Sequence, residues 1–206
     1  GHQGGGKRPI RSPTPNEARA TPRFGRGEEG NTPTDFEPEE IERKISISLA
    51  VASLEWKKKK VNLIDTPGYG IFVSEMICGL KAAEAALLVV DAVAGVQVQT
   101  ERAWKLCDEL GLPRLVVVNR MDRENANFGT VLAAMQLRWG PKVTPLQIPI
   151  GAHETFQGVV DLLHMRAYVG DKGEEAPVPA ALQAQADTLR AQPIETIDDT
   201  NQDPLA

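Results

Sequence analysis

The sequence predicts an α/β fold, a mostly parallel sheet with helices on both faces, and three observations carry that prediction. Two four-residue apolar runs, Leu87–Val90 and Leu115–Val118, have the length and continuity of strands buried on both sides. Residues 98–110, between them, read as a helix closed by Gly111 and Pro113, so strand, helix and strand alternate. A hydrophobic share of 41% against 25% charged, over 206 residues, allows one to two domains with real cores, and no apolar run is long enough to span a bilayer.

The elements follow in order. Residues 8–35 are irregular, because Pro9, Pro13, Pro15, Pro22 and Pro33 interrupt any helical period. After an acidic cluster from Asp35 to Glu42, Ile45–Val51 alternates apolar with small or polar residues, the pattern of a strand. Trp56 and the run Lys57–Lys60 separate it from Val61–Ile64, which predicts a hairpin with a charged tip. The lysines read as a solvated tip, with a ribosomal RNA contact as the sharper alternative. Helices are expected at 72–86, 98–110 and 124–139, the last ending at Gly140-Pro141, and a further strand at Leu146–Ile150. From Gly151 the rhythm weakens into two short strands within Phe156–Val169, a polar loop Asp171–Pro179 and a helix Ala180–Leu189. Residues 1–150 are therefore read as one domain and 151–206 as the start of a second, incomplete α+β unit.

A net charge of −5 argues against a free-standing electrostatic nucleic-acid binder, since phosphate neutralisation needs a surplus of Lys and Arg. Cys78 and Cys107 both fall in helical segments and read as buried, reduced thiols of a cytoplasmic protein. Residues 1–26 hold no apolar stretch of the kind a signal peptide needs. The chain begins with Gly1 and stops at Ala206 in a polar stretch, which reads as a piece of a longer protein.

In an open parallel sheet, ligands lie beyond the carboxyl ends of the strands, so the loops after Ile64 and Val118 are the ones to inspect. The first is Asp65-Thr66-Pro67-Gly68. In a nucleotide triphosphatase an Asp there holds Mg²⁺ and the glycine N–H faces the γ-phosphate; read alone, the same four residues make an ordinary turn. The second is Asn119-Arg120-Met121-Asp122, close to the N-K-x-D pattern that recognises guanine. The Asp122 carboxylate can accept both the ring N–H and the exocyclic amine of guanine, a pair of donors that adenine lacks. Arg120 would lay its stem or its planar guanidinium along the base. The plainer alternative makes Asn119 and Asp122 caps of the helix that follows. Finally, Gly1-His2-Gln3-Gly4-Gly5-Gly6-Lys7 fits G-x-x-x-x-G-K, whose amides cradle phosphates while the lysine reaches the β and γ groups. Arg8 follows where a Mg²⁺-binding Ser or Thr is expected, which leaves the metal one ligand short; a glycine-rich start also suits a flexible terminus.

The three motifs occur in order, and the residues around them closely resemble the GTP-binding domain of elongation factor G and its paralogues. The resemblance is carried by Arg26–Asn31, Asp35–Ile47, Asn62–Tyr69, Val90–Val96, Thr100–Trp104, Asn119–Phe128 and Gln147–Gly151. It implies a P-loop GTPase fold, incomplete because the strand before Gly1 is missing, with GTP or GDP and Mg²⁺ as cofactors. It implies that Gly1–Lys7 hold the phosphates, that Ser46 and Asp65 serve the metal, and that Gly68 and Tyr69 are the catalytic positions beside the γ-phosphate. Asn119, Arg120 and Asp122 would take the base. The ribosome would be the partner, and a cytoplasmic monomer without membrane contact the form.

Two departures qualify the resemblance. Tyr69 stands where most translational GTPases carry a His that positions the attacking water, so turnover is expected to be slow or arranged differently. Residues 8–22 replace an amphipathic helix with three prolines within seven residues, each costing about 3 kcal/mol in a helix interior. Their length suggests a stretch read out of frame, so this chain is expected to be an impaired GTPase. The rival from another class is a damaged relative that holds no nucleotide and acts at most as an interaction surface; an ATP-dependent enzyme is disfavoured by Asp122.

Overall fold

A computed structural model of the chain describes residues 47–56, 58–170 and 173–201. The glycine-rich start, the proline-rich segment with its proposed frame change, and Ser46 lie outside the described residues. The chain divides into two compact units. The first holds the described residues up to Asp91 together with Gln97–Asn119; the second holds Ala92–Val96 and the described residues from Arg120 onward.

The described part of the first unit contains an antiparallel hairpin, β1 (Ala50–Trp56) and β2 (Lys59–Asp65), in which Ala50 pairs with Asp65 and Trp56 with Lys59. The expected hairpin is present, but its first strand is displaced from Ile45–Val51. The alternation simply runs on: Ala50 and Leu54 are buried while Val51, Ser53 and Glu55 are exposed, so the period-two signal extends to the turn. Lys59 and Lys60 belong to β2, and Lys58 takes the turn at φ 64°.

A short 3₁₀ turn (Gly70–Phe72) leads into α1 (Val73–Lys81), followed by β3 (Ala86–Asp91), α2 (Val98–Glu109) and β4 (Arg114–Asn119). Strands β3 and β4 pair in parallel, with Val90 beside Val118 and Asp91 beside Asn119, as their apolar runs predict. Helix α1 is shorter than the expected 72–86, because Ala86 already belongs to the sheet. The spacing of Val73, Met76 and Leu80 on α1 and of Thr100, Ala103 and Cys107 on α2 turns one face of each helix inward. With Ala86 and Leu88 of β3, the buried apolar members of these faces form the core of the unit. Helix α2 stops in a Schellman motif: Gly111 at φ 62° donates to Asp108 and Leu112 donates to Cys107. Cys107 is fully buried, whereas Cys78 is exposed, against the expectation that both thiols are covered.

In the second unit α3 (Phe128–Trp139) precedes a four-stranded antiparallel sheet and a terminal helix. The strands, paired in chain order, are β5 (Gln147–Ile150), β6 (Gly158–Asp161), β7 (Arg166–Val169) and β8 (Glu174–Ala176). The last of these lies within a segment expected to be loop. Helix α4 (Ala180–Asn201) runs beyond the expected Leu189 and packs Leu182, Ala186 and Leu189 onto Ile148, Val160, Leu162 and Ala167. No described helix is long and apolar enough to cross a membrane.

Candidate nucleotide-binding site

In the first unit, Asp65 is the last residue of β2 and is buried, as is Pro67 two positions on. A buried carboxylate at a strand end must be compensated, and Asp65 does have partners within the structure. Helix α1 fixes this turn from behind. Gly79 faces it: a Cβ there would sit 2.5 Å from Thr66 Cγ2 and 3.3 Å from both Ile64 Cγ2 and Leu49 Cδ1, so the absent side chain lets the helix approach. One turn earlier on α1, Glu75 accepts the backbone N–H of Leu49 at 3.1 Å, tying the segment before β1 to the same helix. Gly68 follows Pro67, and Tyr69, half-buried, caps the 3₁₀ turn by accepting the N–H of Phe72 at 3.1 Å.

At the end of the parallel pair, Asn119 closes β4 directly beside Asp91 of β3. Asp91 is buried, and it and Asp65 are the two buried charged side chains among the described residues. Asp91 lies in the Val90–Val96 stretch of the resemblance, at the carboxyl end of a parallel strand.

In the second unit, Arg120 turns the chain at φ 64°, Met121 buries its side chain and Asp122 is exposed. Among the described residues nothing pairs with the Asp122 carboxylate. The backbone around it is closed by two turns, Arg123 donating to the Arg120 carbonyl and Ala126 to the Arg123 carbonyl, each at 3.1 Å. Asn127 donates to Ala92 at 3.1 Å, and its side chain accepts the N–H of Thr130 at 2.9 Å, so α3 begins at Phe128 and not at the expected residue 124. The helix cap is thus Asn127, and neither Asn119 nor Asp122 serves in that role.

The donor set suits a guanine base: an exposed carboxylate offers two acceptors to the two N–H donors of the purine edge, on a turn whose backbone is already fixed. Of the other expected site residues, Asp65, Gly68 and Tyr69 stand together at the end of β2. Gly1, His2, Gln3, Gly4, Gly5, Gly6, Lys7 and Ser46 fall outside the described residues.

Helices follow β2, β3 and β4, and Asp65 and Asp91 end two of those strands, an arrangement of the α/β class. The family model for the elongation factor Tu GTP-binding domain matches residues 13–197, and the chain belongs to that family. Within it, the chain is 52% identical over 147 residues to an elongation factor G-like protein of Thermotoga maritima, covering 70% of this chain and 22% of the relative. It is 42% identical over 170 residues to elongation factor G 2 of Streptomyces coelicolor, covering 81% of this chain and 25% of the relative. Its fold superposes with a TM-score of 0.90 on the crystal structure of ttk003000868 from Thermus thermophilus, at 37% identity, over 98% of this chain and 30% of the other. The chain thus spans about a quarter of the length of the curated relatives it matches.

Proposed function

We propose that the chain binds GTP and GDP with Mg²⁺ and hydrolyses GTP, as the nucleotide domain of an elongation factor G-like protein working on the ribosome in the cytoplasm. The observation that carries this reading is the Asp122 carboxylate, exposed and unpaired among the described residues, on a turn fixed by its own backbone and relieved of helix capping by Asn127. Asp122 accepts the guanine edge, Arg120 lies along the base and Asn119 steadies the turn. Gly1–Lys7 surround the phosphates, with the Lys7 ammonium on their charge, and Ser46 and Asp65 face the metal. Gly68 presents its N–H toward the terminal phosphate, and the Tyr69 hydroxyl hydrogen-bonds the attacking water. Bound Mg²⁺ supplies charge neutralisation for phosphoryl transfer. Residues 1–150 form the nucleotide domain and 151–206 belong to a subdomain inserted in it, acting as a monomer.

Titration of the 206-residue chain with a fluorescent GDP analogue tests the reading. Saturable, Mg²⁺-dependent binding that GTP displaces and ATP does not is the expected result. Absence of binding at high micromolar concentration makes the chain a nucleotide-free relative and overturns it.

A further inference from the structure

His153 holds the turn that carries Asp122 from outside it. The backbone N–H of His153 donates to the carbonyl of Met121 at 2.9 Å, and its ring Nδ1 lies 2.8 Å from the carbonyl oxygen of Arg123. A carbonyl oxygen has lone pairs and no proton, so this second contact requires the ring proton on Nδ1. The two bonds therefore grip the residues immediately before and after Asp122.

His153 is itself built to reach them. It opens a 3₁₀ turn (His153–Thr155) at φ 53°, a left-handed conformation in which His is more frequent than most side chains. Gly151, at φ 76°, starts that turn in a conformation a side chain would strain, and a Cβ on it would collide with the Thr155 backbone. Thr155 locks the loop: its hydroxyl donates to the Ala152 carbonyl at 2.6 Å and accepts the Ala152 N–H at 3.2 Å. A histidine in a strained conformation, held by a rigid loop and donating twice, serves a purpose beyond solvation.

We infer that His153 is a positioning residue for base recognition: it clamps the carbonyls of Met121 and Arg123 so that the Asp122 carboxylate is fixed before a guanine nucleotide arrives. The inference rests on the reading of Asp122 given above. Preorganisation of this kind raises affinity by removing the ordering cost at binding.

Two nearly isosteric variants separate the clamp from simple packing. Asn and Asp both tolerate a left-handed backbone. His153→Asn places an N–H donor about where Nδ1 stands, whereas His153→Asp places a carboxylate oxygen against the Arg123 carbonyl. In the nucleotide-free chain, amide hydrogen exchange at Arg123 and Ala126 is expected to accelerate about tenfold in His153→Asp and to stay within about twofold in His153→Asn. Fluorescent GDP titration is expected to show about tenfold weaker binding for His153→Asp and near-unchanged binding for His153→Asn. Equal behaviour of the two variants in exchange, whether both hold or both loosen, overturns the clamp. Asp122→Asn, measured beside them, keeps the two ideas apart. If it binds GDP normally, the reading of Asp122 fails whatever the exchange data show. If it loses GDP while both His153 variants bind equally well, the reading stands and the clamp falls.

Discussion

Asn127 Oδ1 accepts the backbone N–H of Thr130 at 2.9 Å and so closes the first turn of α3, five residues after Asp122. The sequence alone left Asp122 open between reading a base and capping this helix, and Asn127 takes the cap. Removing an N-cap of this type costs about 1 kcal/mol, so Asn127→Ala is expected to lower the urea unfolding free energy by about that much. Asp122→Asn, exposed and unpaired among the described residues, is expected to leave the unfolding midpoint where it is. A midpoint shift in Asp122→Asn as large as that in Asn127→Ala would return Asp122 to a structural role.

Gly79 predicts a substitution that runs against helix propensity. Alanine is favoured over glycine in a helix interior by about 1 kcal/mol. Here its Cβ would press on Thr66, Ile64 and Leu49, and overpacking of this kind costs about 1–3 kcal/mol. Gly79→Ala is expected to destabilise on balance. Because Thr66 lies between Asp65 and Gly68, the variant should also weaken GDP binding more in Mg²⁺ than in EDTA, which paired titrations would measure.

The two thiols differ in a way alkylation reads directly. Burial pushes the Cys107 thiol above its ordinary 9.0, against the opposing pull of Arg114, and leaves no surface for a reagent. Cys78, exposed on α1, is expected to react with iodoacetamide in the native chain, and Cys107 to react after denaturation. Mass spectrometry of the labelled peptides distinguishes the two sites.

Asp161 closes the turn after β6. Its Oδ1 accepts the N–H groups of Leu163 at 2.8 Å and His164 at 3.1 Å, and its Oδ2 lies 2.9 Å from the His164 ring. Burial alone would raise this carboxyl, but the hydrogen bonds from His164 and Leu163 outweigh it and hold the group below its ordinary 3.8. The folded state then releases this proton more readily than the unfolded chain. The stabilisation is whole above pH 3.8 and is lost as pH falls through the lower folded value. Asp161→Asn keeps an acceptor for both N–H groups but does not titrate. The stability gap between wild type and Asp161→Asn should narrow from about pH 6 to about pH 2, as followed by circular dichroism.

Much of this was legible in the sequence where one strong local signal acted alone. The runs Leu87–Val90 and Leu115–Val118 gave the parallel pair because burial on both faces leaves an uninterrupted apolar stretch. Strand β1 was misplaced because alternation continued past Val51 and nothing short of the turn marked its end. Strand β8 was hidden because Glu174 and Glu175 pair at an exposed edge, where hydrophobic pattern says little. Of the proposed site, Asp65, Gly68, Tyr69, Asn119 and Asp122 were singled out by motif at or just past strand ends. His153 was not: it acts across a contact thirty residues away in the chain, which no periodicity encodes.

Nucleotide specificity measures most directly what Asp122 grips. Xanthine carries a carbonyl where guanine carries its exocyclic amine, so an Asn amide at 122 would donate to xanthine and face guanine with the wrong group. Asp122→Asn should weaken GDP binding about 100-fold, the worth of a charge-assisted pair, and gain binding of xanthosine diphosphate in the same titration. If Asp122→Asn binds GDP as tightly as the unsubstituted chain and ignores the xanthine nucleotide, the carboxylate does not read the base and the account is wrong.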